Sequence, residues 1–130
     1  MSTFATLSNG VRVCNMSSFH PFTFDDGTVL PGCDADFCNR MSLIKNEEFV
    51  PALDSRWEDV RVSFQLSAEV EECLERLHER DDVDIIIVPF PVMQSIKAAD
   101  MDVCFPKCRV ICIRKDKRAE KIAHHDRFCV

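Results

Sequence analysis

Apolar positions change their spacing several times along the second half of the chain, and each change predicts a new element. Val60-Arg61-Val62-Ser63-Phe64-Gln65-Leu66 alternates strictly, which predicts a strand with Val60, Val62, Phe64 and Leu66 on one face. Ser67 then stands as an N-cap, with Glu69, Glu71 and Glu72 at the positive end of a helix dipole. Val70, Cys73, Leu74 and Leu77 follow at i, i+3, i+4 and i+7, the stripe of a helix lying on a sheet and ending near Arg80. From Val83 through Ile85-Ile86-Ile87-Val88 the apolar run is β-branched and no longer alternates, as in a strand buried on both faces at the centre of a parallel sheet. Pro91 suits the first turn of a second helix, with Val92, Met93 and Ile96 on its buried face as far as Ala99. Cys108-Arg109-Val110-Ile111-Cys112-Ile113 reads as the next strand. A charged turn at Lys115-Asp116-Lys117-Arg118 precedes one more strand, near Lys121–Ala123 or Arg127–Cys129.

The first half is less regular. Val11–Met16 follows the turn pair Asn9-Gly10 and reads as a first strand. Asp26-Gly27 predicts a hairpin turn, with Phe22 and Phe24 alternating on the strand before it. Asp34 can cap a short helix that carries Phe37, Cys38 and Met41, and residues 46–56, broken by Pro51 and Asp54-Ser55, read as a surface loop. These elements predict a single α/β (or α+β) domain over residues 1–130. Residues 1–45 would hold the hairpin and short helix, and residues 57–130 a three-stranded parallel β-α-β-α-β core with a C-terminal extra strand.

Composition agrees with one globular domain: 130 residues, 46% hydrophobic and 29% charged. No apolar run approaches the roughly 18–20 residues that cross a bilayer. Met1-Ser2-Thr3-Phe4-Ala5 lacks the basic and apolar regions of a signal peptide, so a cytoplasmic protein with reduced cysteines is expected. Of the eight cysteines, Cys73 and Cys112 lie within apolar stretches and read as small buried hydrophobes.

Charge is segregated. Lys107, Arg109, Arg114, Lys115, Lys117, Arg118, Lys121 and Arg127 face only Asp116, Glu120 and Asp126, so the last 24 residues are basic in a chain of net charge −6. Arg114, Lys115, Lys117 and Arg118 are the candidate anion-binding group, the one segment able to meet nucleic-acid phosphates. Glu71, Glu75 and Glu79 line one helix face and are continued by Asp81, Asp82 and Asp84. With Asp25 and Asp26 at the hairpin tip, the three glutamates are the candidate partner-binding residues.

Chemistry is sparsely marked. A phosphate cradle needs glycines and free N–H groups at the strand ends, yet the central turn is Pro89-Phe90-Pro91, and Gly10, Gly27 and Gly32 lie elsewhere. Cys104, Cys108 and Cys112 are evenly spaced, but two thiols four residues apart on one strand stand about 13 Å apart and do not share an ion. Cys33, Cys38, His124 and His125 form a looser metal set, though no metal and no cofactor is the favoured reading. The catalytic candidates are His20, His124, His125, Asp126 and Cys129, a histidine beside a carboxylate serving as base to a thiol.

Asn15-Met16-Ser17-Ser18-Phe19-His20-Pro21, placed between a first strand and Asp26-Gly27-Thr28-Val29, resembles the opening of short phage and prophage proteins without assigned activity. The resemblance covers about fifteen residues. It implies a viral or mobile-element accessory protein and transfers no site residue. The function expected from the sequence is a non-enzymatic binding protein that engages a host protein or a small ligand. The alternatives are a small cysteine/histidine- or metal-dependent hydrolase or transferase, and a nucleotide or nucleic-acid binder acting through residues 107–121.

Overall fold

The computed structural model describes residues 3–33, 43–114 and 121–130. Its strands in chain order are β1 (Phe4–Thr6), β2 (Arg12–Asn15), β3 (Phe22–Phe24), β4 (Val29–Leu30), β5 (Leu43–Val50), β6 (Asp59–Leu66), β7 (Ile85–Ile87), β8 (Cys108–Ile113) and β9 (Ile122–Cys129). Two helices, α1 (Ala68–His78) and α2 (Phe90–Ala98), flank β7 in sequence. Seven strands form one sheet in the order β1-β2-β7-β8-β9-β3-β4, and β5 and β6 pair only with each other.

The expected α/β core is corrected here. Strand accounts for 40% of the structure and helix for 18%, and the sheet is a mixed, nearly closed barrel. The run of isoleucines does form an interior strand: β7 is parallel to both β2 and β8. The strand from Val60 to Leu66 does not join it. Its place beside β7 is taken by β2, with Val13 opposite Ile85 and Asn15 opposite Ile87. Residues 46–50, expected in a loop, belong to β5, and the short helix expected over 34–41 lies outside the described residues.

Alternation along β2 and β7 divides the interior into two cores. Cys14 and Ile86 face the helices and pack with Val70, Leu74, Val92, Ile96 and Phe105. Val13 and Ile87 face the other way and pack with Leu7, Phe24, Leu30 and Ala123. Phe24 and Leu30 come from β3 and β4, at the far end of the strand order, so the sheet must curl to bring them onto Val13. The curl leaves the edge strands β1 and β4 in contact.

One buried polar residue ties this closure together. Asn15 is fully buried at the end of β2. Its Oδ1 accepts from the N–H groups of Ser17 (2.9 Å) and Ser18 (3.2 Å), and its Nδ2 donates to the carbonyl of Pro31 (3.1 Å) just beyond β4. A buried amide with its polar atoms engaged stabilises the turn that would otherwise leave those groups unpaired.

The helices follow their sequence signals. Ser67 Oγ accepts from the Val70 N–H and caps α1, with Glu69 and Glu71 in the first turn. Pro91 lies in the first turn of α2, and Ser95 Oγ donates to the Pro91 carbonyl at 3.1 Å. Among the described residues no helix is long and apolar enough to cross a membrane.

Candidate functional site

Two features stand out from the barrel: a projecting β arm and a cluster of histidines and carboxylates at the β3–β9 seam.

The arm is the β5–β6 hairpin, eight residues on each strand, paired from Leu43 opposite Leu66 to Val50 opposite Asp59. Alternation gives it two unlike faces. On one lie Leu43, Lys45, Glu47, Phe49, Val60, Val62, Phe64 and Leu66; the other, more polar, carries Ile44, Asn46, Glu48, Val50, Asp59, Arg61, Ser63 and Gln65. The polar face is internally paired, with Arg61 at 3.7 Å from Glu48 and Asn46 Nδ2 donating to Gln65 Oε1. The apolar face is open: Phe49 is 70% exposed, Phe64 50% and Val62 46%, and only Leu66 at the base is buried. This corrects the expectation that the strand carrying Val60, Val62 and Phe64 is one of the three strands of a parallel core. At the tip, Leu53 is 98% exposed and Trp57 46%, while Asp54 holds Arg56 through its side chain and its backbone N–H. Where the arm meets α2, a cavity of about 550 Å³ is lined by Leu43, Ser63, Phe64, Pro91, Gln94, Ser95 and Ala98.

The seam cluster joins residues a hundred positions apart. Asp25 extends the β3–β9 ladder, its N–H donating to the Ala123 carbonyl at 2.8 Å. Its Oδ1 accepts from the backbone N–H of His125 at 3.0 Å and lies 2.5 Å from His125 Nδ1; its Oδ2 lies 3.7 Å from His124 Nδ1. Neighbouring histidines on a regular strand point to opposite faces. Here the β8–β9 register shifts between Ile111, opposite Phe128, and Ile113, opposite Ala123, so the shift falls on the histidine pair and lets both reach one carboxylate. One donor atom each from Asp25, His124 and Asp126 lies within 4.8 Å of the others. The hydrogen bond to Asp25 raises the His125 pKa, and the same bond, with the backbone N–H of His125, lowers that of Asp25. Sequence reading singled out His124, His125 and Asp126 but assigned Asp25 to a different role. Only the parallel pairing of β3 with β9 brings it to them.

No family model, characterised protein or solved structure matches this chain.

The other candidates fall elsewhere. His20 is exposed before β3, with its N–H on Ser18 Oγ, and is not among the donors gathered at Asp25. Cys129 lies 4.0 Å from the Ile111 carbonyl, and its pKa is raised by burial and by Cys112, the opposite of an activated thiol. Cys33 is disulfide-bonded, which corrects the expectation of a wholly reduced chain and removes its thiol from any metal set; Cys38 lies outside the described residues. Lys115, Lys117 and Arg118 also lie outside them, and Arg114 N–H donates to the Ile122 carbonyl.

The acidic candidates divide into free and committed groups. Asp26 accepts from the N–H groups of Ser8 and Thr28, which lower its pKa against the opposing effect of burial, so it organises the turn. Asp84 forms a two-pronged pair with Arg12 that holds its pKa at about 2, and Asp82 is paired with Arg80. Glu71 and Glu75 on α1 and Glu79 at its C-cap reach solvent, while Arg76 is bound to Glu72.

Proposed function

We propose that the chain is a non-enzymatic interaction protein whose working surface is the apolar face of the β5–β6 arm, and that a second copy of the chain covers it. The observation that carries this reading is the exposed row Phe49, Val60, Val62 and Phe64 on a hairpin whose strands, among the described residues, pair only with each other.

Area supports a protein-sized occupant. An aromatic side chain offers about 150–250 Å², so the exposed fractions of the arm and its tip come to roughly 600 Å² of apolar surface. A standard interface takes about 800 Å² from each partner, and a monomer rarely leaves more than a few hundred in one patch. Charge supports a second copy. The two charged residues of the apolar face, Lys45 and Glu47, are paired with each other at 2.9 Å, so the face is neutral and a second copy meeting it across a two-fold axis brings no net like charge against it. Both long edges of the hairpin also lack a strand neighbour among the described residues, the kind of edge that invites pairing. The acidic chain disfavours a nucleic-acid occupant, because phosphate contacts need Lys and Arg.

Sedimentation equilibrium over about 1–100 µM tests this, a range that spans the affinities such interfaces reach. The expected result is a dimer that V62K converts to a monomer with unchanged circular dichroism. A wild-type monomer throughout the range overturns the reading. Binding of an apolar small molecule in the cavity beside α2, or of a different protein by a monomeric chain, would replace the second copy as occupant.

A further inference from the structure

The donors at the β3–β9 seam have a geometry that a simple ion pair does not require. We infer that Asp25, His124 and Asp126 form a binding site for a divalent transition-metal ion, with Zn²⁺ preferred and Mn²⁺ accepted.

Spacing is the first support. Ligands of a tetrahedral ion at about 2.0–2.2 Å stand roughly 3.3–3.6 Å apart. Asp25 Oδ2 and His124 Nδ1 are already 3.7 Å apart, and Asp126 completes a triangle of donors within 4.8 Å.

Orientation is the second. His125 occupies only Oδ1 of Asp25, through both its ring and its backbone N–H. Oδ2 is thereby left turned towards His124. A hydrogen-bonded carboxylate held in this way is the outer-shell arrangement that fixes metal ligands in place. The register shift in β9 supplies both histidines to the one carboxylate, His124 to share the ion and His125 to orient Asp25.

Chemistry decides the ion. Two carboxylates balance a divalent charge. A single imidazole selects borderline metals over Mg²⁺ and Ca²⁺, which take oxygen ligands alone. Three protein ligands leave at least one position open to solvent, and His124 is partly exposed, so an ion has a path in.

Isothermal titration of the chelator-treated full chain with MnCl₂ and then with ZnCl₂ tests the site. Mn²⁺ comes first because it avoids the free thiols. One equivalent of each metal is expected, with D126N and H124A each weakening binding by about 10–100-fold and C112S/C129S leaving it unchanged. In the wild-type chain, Mn²⁺ should broaden the ring resonances of His124 and His125 before those of His20 and His78, a readout that needs no folded variant. The inference is overturned by affinity weaker than about 1 mM, by binding that survives both ligand substitutions, or by binding lost only with the two cysteines. The result is independent of the oligomeric state, so it stands or falls apart from the arm.

Discussion

Asp25 Oδ1 holds His125 twice, by Nδ1 at 2.5 Å and by the backbone N–H at 3.0 Å, and so fastens the turn after β3 to β9. The pair has a defined pH window. The folded His125 pKa lies above its ordinary 6.5, so its contribution is complete below 6.5 and is lost as pH rises through the folded value. The folded Asp25 pKa lies below its ordinary 3.8, so its contribution is present above 3.8 and is lost as pH falls through the folded value. Thermal melts in metal-free buffer should therefore show a stability increment between those limits that H125A removes. An unchanged pH profile in H125A would show that the pair adds nothing to folding.

His78 should titrate in the opposite sense. Its Nδ1 donates to the Leu74 carbonyl at 2.7 Å and its Nε2 accepts from the Lys107 N–H at 3.1 Å, an arrangement that only the neutral ring can make. Burial lowers its pKa below 6.5, so its contribution is present above 6.5 and is lost as pH falls through the folded value. In a proton NMR titration the His78 ring should inflect below 6.5 and the His125 ring above it. Inflections in the reverse order would contradict both environments.

The cysteines should react in two classes. Burial raises the pKa of Cys14 to about 11 and that of Cys108 to about 12, whereas Cys104 is exposed. The thiolate is the reactive form, so an aromatic disulfide reagent at about pH 8 should label Cys104 quickly and leave Cys14 and Cys108 unlabelled until the chain unfolds. Peptide mapping of the labelled sites checks the order.

Local signals in the sequence were reliable where local physics decides the outcome. Ser67, Pro91 and the isoleucines of β7 mark a cap, a helix start and an interior strand, and each does so in the structure. The alternation of Val60–Leu66 also correctly marked a strand. Alternation shows that one face is apolar, not what covers it, and the missing cover changed a core strand into an arm. β5 was missed because Lys45, Asn46, Glu47 and Glu48 interrupt its apolar pattern, and only pairing with β6 makes it a strand. The barrel-like closure and the Asp25 cluster depend on the parallel pairing of β3 with β9. That contact spans most of the chain and has no local signature.

Asn15 gives a direct test of the closure. N15A would leave the part-buried N–H groups of Ser17 and Ser18 and carbonyl of Pro31 without the partner that the fully buried Asn15 side chain supplies. Each unpaired buried group costs about 1–3 kcal/mol, so a loss of about 2–4 kcal/mol in urea unfolding is expected. A loss under about 0.5 kcal/mol would mean that water replaces the amide and that Asn15 does not hold the seam.

Gly32 should be the least replaceable glycine, for a reason unrelated to positive φ. A Cβ built there would meet the Phe19 carbonyl oxygen at 1.7 Å and its carbon at 2.3 Å, both backbone atoms. No side-chain rotation relieves that contact, so the chain must move where the Cys33 N–H donates to the Ser18 carbonyl. Gly27 differs: its surroundings are open, and its φ of +88° is the only obstacle to a side chain. G27A should cost about 1–2 kcal/mol, the strain of a left-handed alanine. G32A should cost more than the roughly 1–3 kcal/mol of ordinary overpacking, because rigid backbone stands in the way. Paired denaturation curves for the two variants decide the order. A smaller loss for G32A than for G27A would mean that the Phe19–Gly32 approach is readily relaxed, leaving Asn15 as the main fastening of this corner.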